Sequence, residues 1–283
     1  MSRHRLGNFS EPVLLFGGAY GNLQSTIALR RIAEDASIPP DRVICTGDLT
    51  AYCAEPWETV ELIRGWGIHC ISGNVETQLA TKENDCGCNF APDTSCDRLS
   101  QHWFKFTDQE ITDDQRKWFQ GLPGHLLFNL NGFSCAVVHG SFREANRFIF
   151  ESTPWGEKAA ELETAEASVM ICGHSGLPFC QTTDGKLWCN AGVIGMPAND
   201  GTPRAWYAIL EPLGKDGLRC TLHPFDYDHE TASDRMWEKS LPAEYRNSLV
   251  SGLWHSCDIL PGEETLGQGR ALAGSAVELF RSE

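Results

Sequence analysis

The first dense apolar run along the chain is VLLFGG from Val13, and a Gly21-Asn22 turn separates it from LQSTIALRRIAEDA, whose apolar residues recur at helical spacing. That order predicts a strand, a tight loop and a helix. RVICTGD, residues 42–48, repeats the strand, and EPWETVELIRGW behind it repeats the helix, opened by Pro56 in its first turn. IHCISGN then closes a third strand at Asn74. Strands alternating with helices predict βαβ units, a largely parallel sheet and an α/β fold class.

The middle of the chain changes character. KENDCGCNFAPDTSCDRLS holds three cysteines among turn residues and is expected to be a Cys-rich insertion near 82–100. TDDQRKWFQGL reads as a short helix capped by Thr112 or Asp113. HLLFNL and FSCAVVHG flank Asn131-Gly132, a dipeptide that favours a tight hairpin, and QTTDGKLWCN suggests a second one. SVMICGH and AWYAILEP are the clearest single strands of the second half. With no repeat at a fixed period, one domain over residues 10–250 is expected. Apolar periodicity fades beyond Val250, so 251–283 is expected to be a peripheral tail.

Composition narrows the partners more than the fold. Across 283 residues, 41% are hydrophobic and 22% charged, which is ordinary globular usage. A net charge of −15 repels polyanions at long range, so neither a nucleic-acid scaffold role nor attachment to anionic lipid is expected. A small phosphorylated substrate stays possible, because a bound divalent cation reverses the field inside one cleft. No segment approaches the roughly 20 apolar residues of a membrane span, and no signal core follows Met1. The expected location is the cytoplasm, where the 12 cysteines would be reduced thiols or metal ligands.

Four polar, metal-competent residues stand at or just past predicted strand ends: Asp48 in TGD, Asn74 in SGN, His139 in VVHG and His174 in CGHS. In open α/β sheets ligands gather outside the carboxyl ends of strands, so residues distant in sequence can converge there. A neighbouring Gly in each case lets the chain turn sharply past the strand. Taken singly, each also fits a structural role, as a turn residue or a hydrogen-bonded core histidine. Together, a carboxylate, an amide oxygen and two imidazoles form a set suited to Mn, Fe or Zn.

These motifs resemble the calcineurin-like metallophosphoesterase superfamily, and within it the small bacterial phosphodiesterase-like branch. The resemblance runs from about Val13 to about Val250 on Gly47-Asp48-Leu49, Gly73-Asn74, Val138-His139-Gly140-Ser141, Gly173-His174, NAGVIGMP at 190–197 and DGTPRAWYAIL at 200–210. It implies a four-layer αββα sandwich of two mixed sheets, metallo-dependent phosphatase-like, around two metals roughly 3.5–4 Å apart. It further implies that Asp48 bridges the metals, that Asn74, His139 and His174 complete one site, and that a metal-bound hydroxide attacks phosphorus in a small phosphomonoester or phosphodiester. Asn22 and Asn190 would line the pocket.

The other metal site departs from the family. Asp-x-His-Gly-Asn appears as Gly18-Ala19-Tyr20-Gly21-Asn22, and Gly-His-x-His as Gly173-His174-Ser175-Gly176, so three of the four first-site ligands are absent. One ion or two are therefore both considered. Tyr20 stands where an imidazole is expected, either as a phenolate ligand of ferric iron or as a packed ring. Glu76 follows where many relatives carry the leaving-group acid; it is read as a catalytic acid, in competition with His69 and His102, or as a solvated helix-start carboxylate. Cys86, Cys88 and Cys96 either bind zinc or reach the vacant metal position, or are free thiols. Cys45, Cys135 and Cys172 fall in strands as small buried residues. Arg143 and Arg147 offer phosphate clamps or a solvated helix face. The functional alternatives are a phosphoester hydrolase, a non-catalytic sensor or binding protein, and a site rebuilt for another metal-dependent reaction.

Overall fold

Alternation within the first apolar run sets the layering: Leu14 and Phe16 pack under helices, whereas Val13 and Leu15 pack against a second sheet. The computed structural model describes residues 2–281. Its twelve strands form two six-stranded mixed sheets. In one, the order is β1 (Arg3–Phe9), β5 (His125–Leu130), β6 (Phe133–Val137), β7 (Val169–Cys172), β9 (Lys186–Asn190) and β8 (Phe179–Thr183). The other runs β12 (Ser275–Phe280), β11 (Gly217–Phe225), β10 (Ala205–Leu213), β2 (Val13–Phe16), β3 (Val43–Cys45) and β4 (His69–Cys70). The helices are α1 (Leu23–Asp35), α2 (Pro56–Trp66), α3 (Asn74–Thr81), α4 (Ser95–Glu110), α5 (Asp113–Gly121), α6 (Trp155–Ala165), α7 (His229–Glu238), α8 (Ala243–Ser251) and α9 (Gly262–Leu266).

Three apolar clusters separate four layers. One lies between the sheets, where Val13, Leu15 and Ile44 meet Phe128, Val137 and Ile171. A second packs the outer face of β2 and β3 under α1, α2, α3 and α4, through Leu29, Val60, Leu79 and Trp103. In the third, Leu162 of α6 covers Ala136 and Met170. The αββα sandwich is therefore the architecture of the chain. In the second sheet β2–β3–β4 is the parallel unit that strand–helix alternation predicts, and β10, β11 and β12 add antiparallel partners.

Local signals hold where turn chemistry is strong. Both expected hairpins form, with positive φ at Asn131 and Gly132 and again at Asp184 and Gly185. Thr112 caps α5 in a reciprocal box with Gln115. Three expectations are corrected. Asn74 is not a strand end but the first residue of α3, because β4 stops at Cys70. The Cys-rich stretch at 82–100 is a loop only as far as Thr94, and α4 begins at Ser95. The sheets also reach past 10–250 at both ends, since β1 precedes that span and β12 closes an edge within the expected tail. Both are largely exposed edge strands, which lack the continuous apolar run of a central strand. No helix of the described residues is long and apolar enough to cross a membrane.

Candidate metal centre

The polypeptide leaves β3 through Thr46 and Gly47, and Asp48 adopts a positive φ of 57°. Glu76 stabilises that turn: its carboxylate accepts from the backbone N–H of Asp48 (2.8 Å), Leu49 (2.8 Å) and Gly73 (2.9 Å). Gly73 is required on steric grounds, since a Cβ there would stand 2.2 Å from Asp48 Oδ1. Val75 N–H donates to the same Oδ1 at 3.2 Å, so the start of α3 aims the carboxylate. Asn74 Nδ2 donates to the Cys86 carbonyl (2.7 Å) and to Cys88 Sγ (3.2 Å), which turns its oxygen the other way. From the second sheet, His139 lies just past β6 and His174 just past β7, and the His139 carbonyl accepts from Gly173 and His174 N–H.

These residues meet at His139 Nε2. It stands 2.9 Å from Asn74 Oδ1, 3.2 Å from Asp48 Oδ2 and 3.0 Å from His174 Nδ1. Asp48, Asn74, His139 and His174 are only 4%, 6%, 2% and 7% exposed, so water cannot separate them freely. His139 Nδ1 donates to the Thr46 carbonyl at 2.7 Å, which leaves Nε2 as a lone pair whenever the ring is neutral. Asn74 Oδ1, the ionised Asp48 Oδ2 and the neutral His139 Nε2 all present lone pairs, joined by His174 Nδ1 when its proton sits on Nε2, and thus converge with few protons among them. A cation removes the repulsion. Two donors about 2.1 Å from an ion and at right angles stand about 3.0 Å apart, the spacing seen here. The residues therefore fit a metal, and the N/O set suits the Mn, Fe or Zn class.

Without a metal, the electrostatics centre on one proton. Burial pushes Asp48 up, but the charge and hydrogen bond of His139 outweigh it and hold the carboxyl below its ordinary 3.8. Burial likewise opposes the charge on His139, and Asp48 overcomes that to raise it above 6.5. Burial, reinforced by His139, pushes His174 down to about 3, so its imidazole is neutral and ready to ligate.

Several other expected site residues sit elsewhere. Glu76 is fully buried and spends its oxygens on three backbone donors, so it is neither a solvated carboxylate nor an acid facing substrate; burial and Asp48 raise it to about 7. Arg143 turns outward to Glu161, Ala160 and Thr164, and Arg147 to Glu157 and Glu161; α6, not a phosphate, holds both. Asn22 caps α1 through Ser25 N–H and donates to Gly195 and Tyr227. Asn190 braces the loop of His174 by donating to the Gly173 carbonyl and Ser175 Oγ. Neither asparagine reaches the cavity wall. His69 and His102 lie outside it as well.

A cavity of about 90 Å³ opens beside Asp48 and His174. Tyr20, Cys88 and Cys96 line it, but Cys86, Cys88 and Cys96 do not gather as a ligand group among the described residues. Burial, then Asp48, pushes the Tyr20 phenol well above its ordinary range, so it presents O–H and not phenolate. Its ring lies across Gly18, where a Cβ would come within 2.4 Å of Cζ. Gly176 similarly faces the Trp254 indole, 3.6 Å from where its Cβ would be.

The expected peripheral tail also roofs this cavity. Trp254, His255, Ser256 and Ile259 line it, with Trp254 N–H donating to Asn199 Oδ1 (2.7 Å) and its indole N–H to the Pro197 carbonyl (2.7 Å). Isolated aromatic residues among glycines carry no periodic signal, so nothing local in the sequence marks this role. A second missed feature is a thiol cluster of Cys180, Cys189 and Cys220 between the sheets, with Sγ atoms 2.9–3.5 Å apart.

Comparison with known proteins bears on the family and the fold. The sequence model of a calcineurin-like phosphoesterase superfamily domain matches residues 24–214. An uncharacterized protein of Methanocaldococcus jannaschii is 21% identical over 258 residues, 85% of this chain and 98% of its own length. Among solved structures, a metallophosphoesterase from Sphaerobacter thermophilus superposes with a TM-score of 0.66 at 22% identity, over 87% of this chain and 100% of that one. A hypothetical protein from Pyrococcus horikoshii gives a TM-score of 0.69 at 19% identity, over 86% and 99%. At such identities the two structures speak for the fold.

Proposed function

Because the chain belongs to the calcineurin-like phosphoesterase superfamily, we propose that it hydrolyses a small phosphomonoester or phosphodiester at one metal ion held by Asp48, Asn74, His139 and His174. The observation that carries this reading is the convergence of three buried polar atoms, from Asn74, Asp48 and His174, each 2.9–3.2 Å from His139 Nε2. A bound Mn, Fe or Zn ion supplies a Lewis acid that polarises a phosphoryl oxygen and lowers the pKa of water.

The residues do the rest. Asp48 brings the negative charge that attracts the cation, and Glu76 holds Asp48 in position through its backbone. Thr46 fixes the tautomer of His139, as an outer partner does for a metal-bound imidazole. Asn74 offers a neutral oxygen, its amide oriented by the Nδ2–H that donates to the Cys86 carbonyl. His255 is the one imidazole of the cavity wall outside this set, among the described residues.

A binding or sensing protein is the second reading. It is favoured by one observation: the Tyr20 ring occupies the place beside Gly18 where a ligand of a second ion is expected. Elemental mass spectrometry on protein purified without added metal, with chromogenic diester and monoester assays, separates the two. One ion per chain with turnover, both lost in His139→Ala, is the expected result. Stoichiometric metal with no turnover under Mn, Fe or Zn would refute hydrolysis and leave the binding reading.

A further inference from the structure

We infer that the ligand of this cavity is a singly charged phosphodiester bearing an apolar or aromatic group, and that dianionic monoesters and polyphosphates are selected against. This rests on the metal-centred reading above and concerns which substrate that centre accepts.

Charge comes first. A divalent ion with one carboxylate, one amide and two neutral imidazoles carries a net charge of +1. A diester monoanion brings that to zero. A monoester dianion leaves one negative charge over while the His255 imidazole is neutral, and among the described residues no Lys or Arg lines the cavity to take it. The sequence-near candidates are already committed, Arg143 to Glu161 and Arg147 to Glu157 and Glu161. An unpaired charge against a largely apolar wall is penalised, and the chain's net charge of −15 repels polyanions further.

Shape and chemistry of the wall come second. Tyr52, Phe148, Val193, Met196, Tyr245 and Trp254 surround Asp48 and His174. The rings are packed before any ligand arrives: Tyr52 lies 4.8 Å from Tyr20, 4.7 Å from Tyr245 and 4.8 Å from Trp103, centroid to centroid. Phe148 lies 4.3 Å from the His174 ring, so an apolar surface begins directly beside the metal donors. Such a wall favours an apolar ester group by burial.

Matched inert anions test charge and ring separately. Protein shown to hold Mn is titrated by calorimetry with methyl(phenyl)phosphinate, with phenylphosphonate at a pH where it is a dianion, and with dimethylphosphinate. The first keeps the ring of the second with one charge less, and the charge of the third with a ring added. Methyl(phenyl)phosphinate is expected to bind about tenfold more tightly than either. In Tyr245→Ala its advantage over dimethylphosphinate should shrink. Equal or tighter phenylphosphonate binding overturns the charge argument, and equal dimethylphosphinate binding overturns the apolar wall. If none of the three binds the Mn-loaded protein, the inference fails as a whole. Because none of these anions can be turned over, their binding is read independently of hydrolysis: discrimination among them with no turnover of the chromogenic esters would refute the hydrolase reading while upholding this one.

Discussion

Replacing Gly18 with Ala should be far more costly in the presence of the Tyr20 ring than in its absence. A Cβ at position 18 would lie 2.4, 2.6 and 2.8 Å from Tyr20 Cζ, Cε1 and Cε2. Ordinary carbon contacts are about 3.5–4.0 Å, so the ring must move by roughly 1 Å or more. Tyr52 meets Tyr20 edge-on at 4.8 Å and is itself packed against Trp103 and Tyr245, so the displacement spreads through a chain of rings. Such overpacking costs about 1–3 kcal/mol. The positive φ of 24° at Gly18 adds about 1 kcal/mol for any residue with a Cβ. Gly18→Ala alone is thus expected to lose about 2–4 kcal/mol, and Tyr20→Ala alone about 3–5 kcal/mol for an emptied ring site. In the double variant the Gly18→Ala step should cost only the backbone part, a coupling of about 1–3 kcal/mol. Urea unfolding of the four proteins, with unchanged m-values, measures it. Additivity within about 0.5 kcal/mol would refute the steric pairing, and with it the claim that the ring occupies the place of a carboxylate at position 18.

Further outcomes follow from the metal centre and its roof. Proton and metal compete for His139 Nε2, so Mn affinity should fall as pH drops through the raised pKa of His139 with one proton released per ion bound, since His174 stays neutral to about 3. A two-proton slope in calorimetry across buffers would contradict this. In the metal-free protein the same pair acts with the opposite sense: its stability is fully present below 6.5, the unperturbed value, and is lost as pH rises through the folded pKa. Glu76→Gln can accept from at most two of the three N–H donors it now holds, so Asp48 loosens and metal affinity should drop about 10–100-fold, measured against a chelator. Unchanged affinity would remove Glu76 as the positioning group. Asn199→Ala deletes the acceptor for Trp254 N–H and Gln268 Nε2, so amide exchange over residues 252–268 should accelerate while metal stoichiometry stays at wild type. Protected exchange there would mean that the roof does not depend on Asn199.

What the sequence alone determined is local and chemical. The run Val13–Phe16, the helix opened by Pro56, and the Asn131-Gly132 and Asp184-Gly185 hairpins are each decided by residues in contact along the chain, so their patterns survive in one dimension. The identity of Asp48, Asn74, His139 and His174 was equally legible, because only a few side chains can donate to a metal and each stood beside a glycine turn. Tertiary structure decided which other groups these donors meet. Glu76 changes from a solvated carboxylate to a buried anchor because the Asp48 turn brings three unpaired N–H groups onto it. Arg143 leaves the site because Glu161 on α6 claims its guanidinium first. The stretch after Val250 becomes a roof because Asn199, some fifty residues earlier, offers the acceptor that holds Trp254. Hydrogen bonds and ring contacts of this kind depend on distance in space, and periodicity along a chain encodes only the face a residue presents, not the partner that covers it.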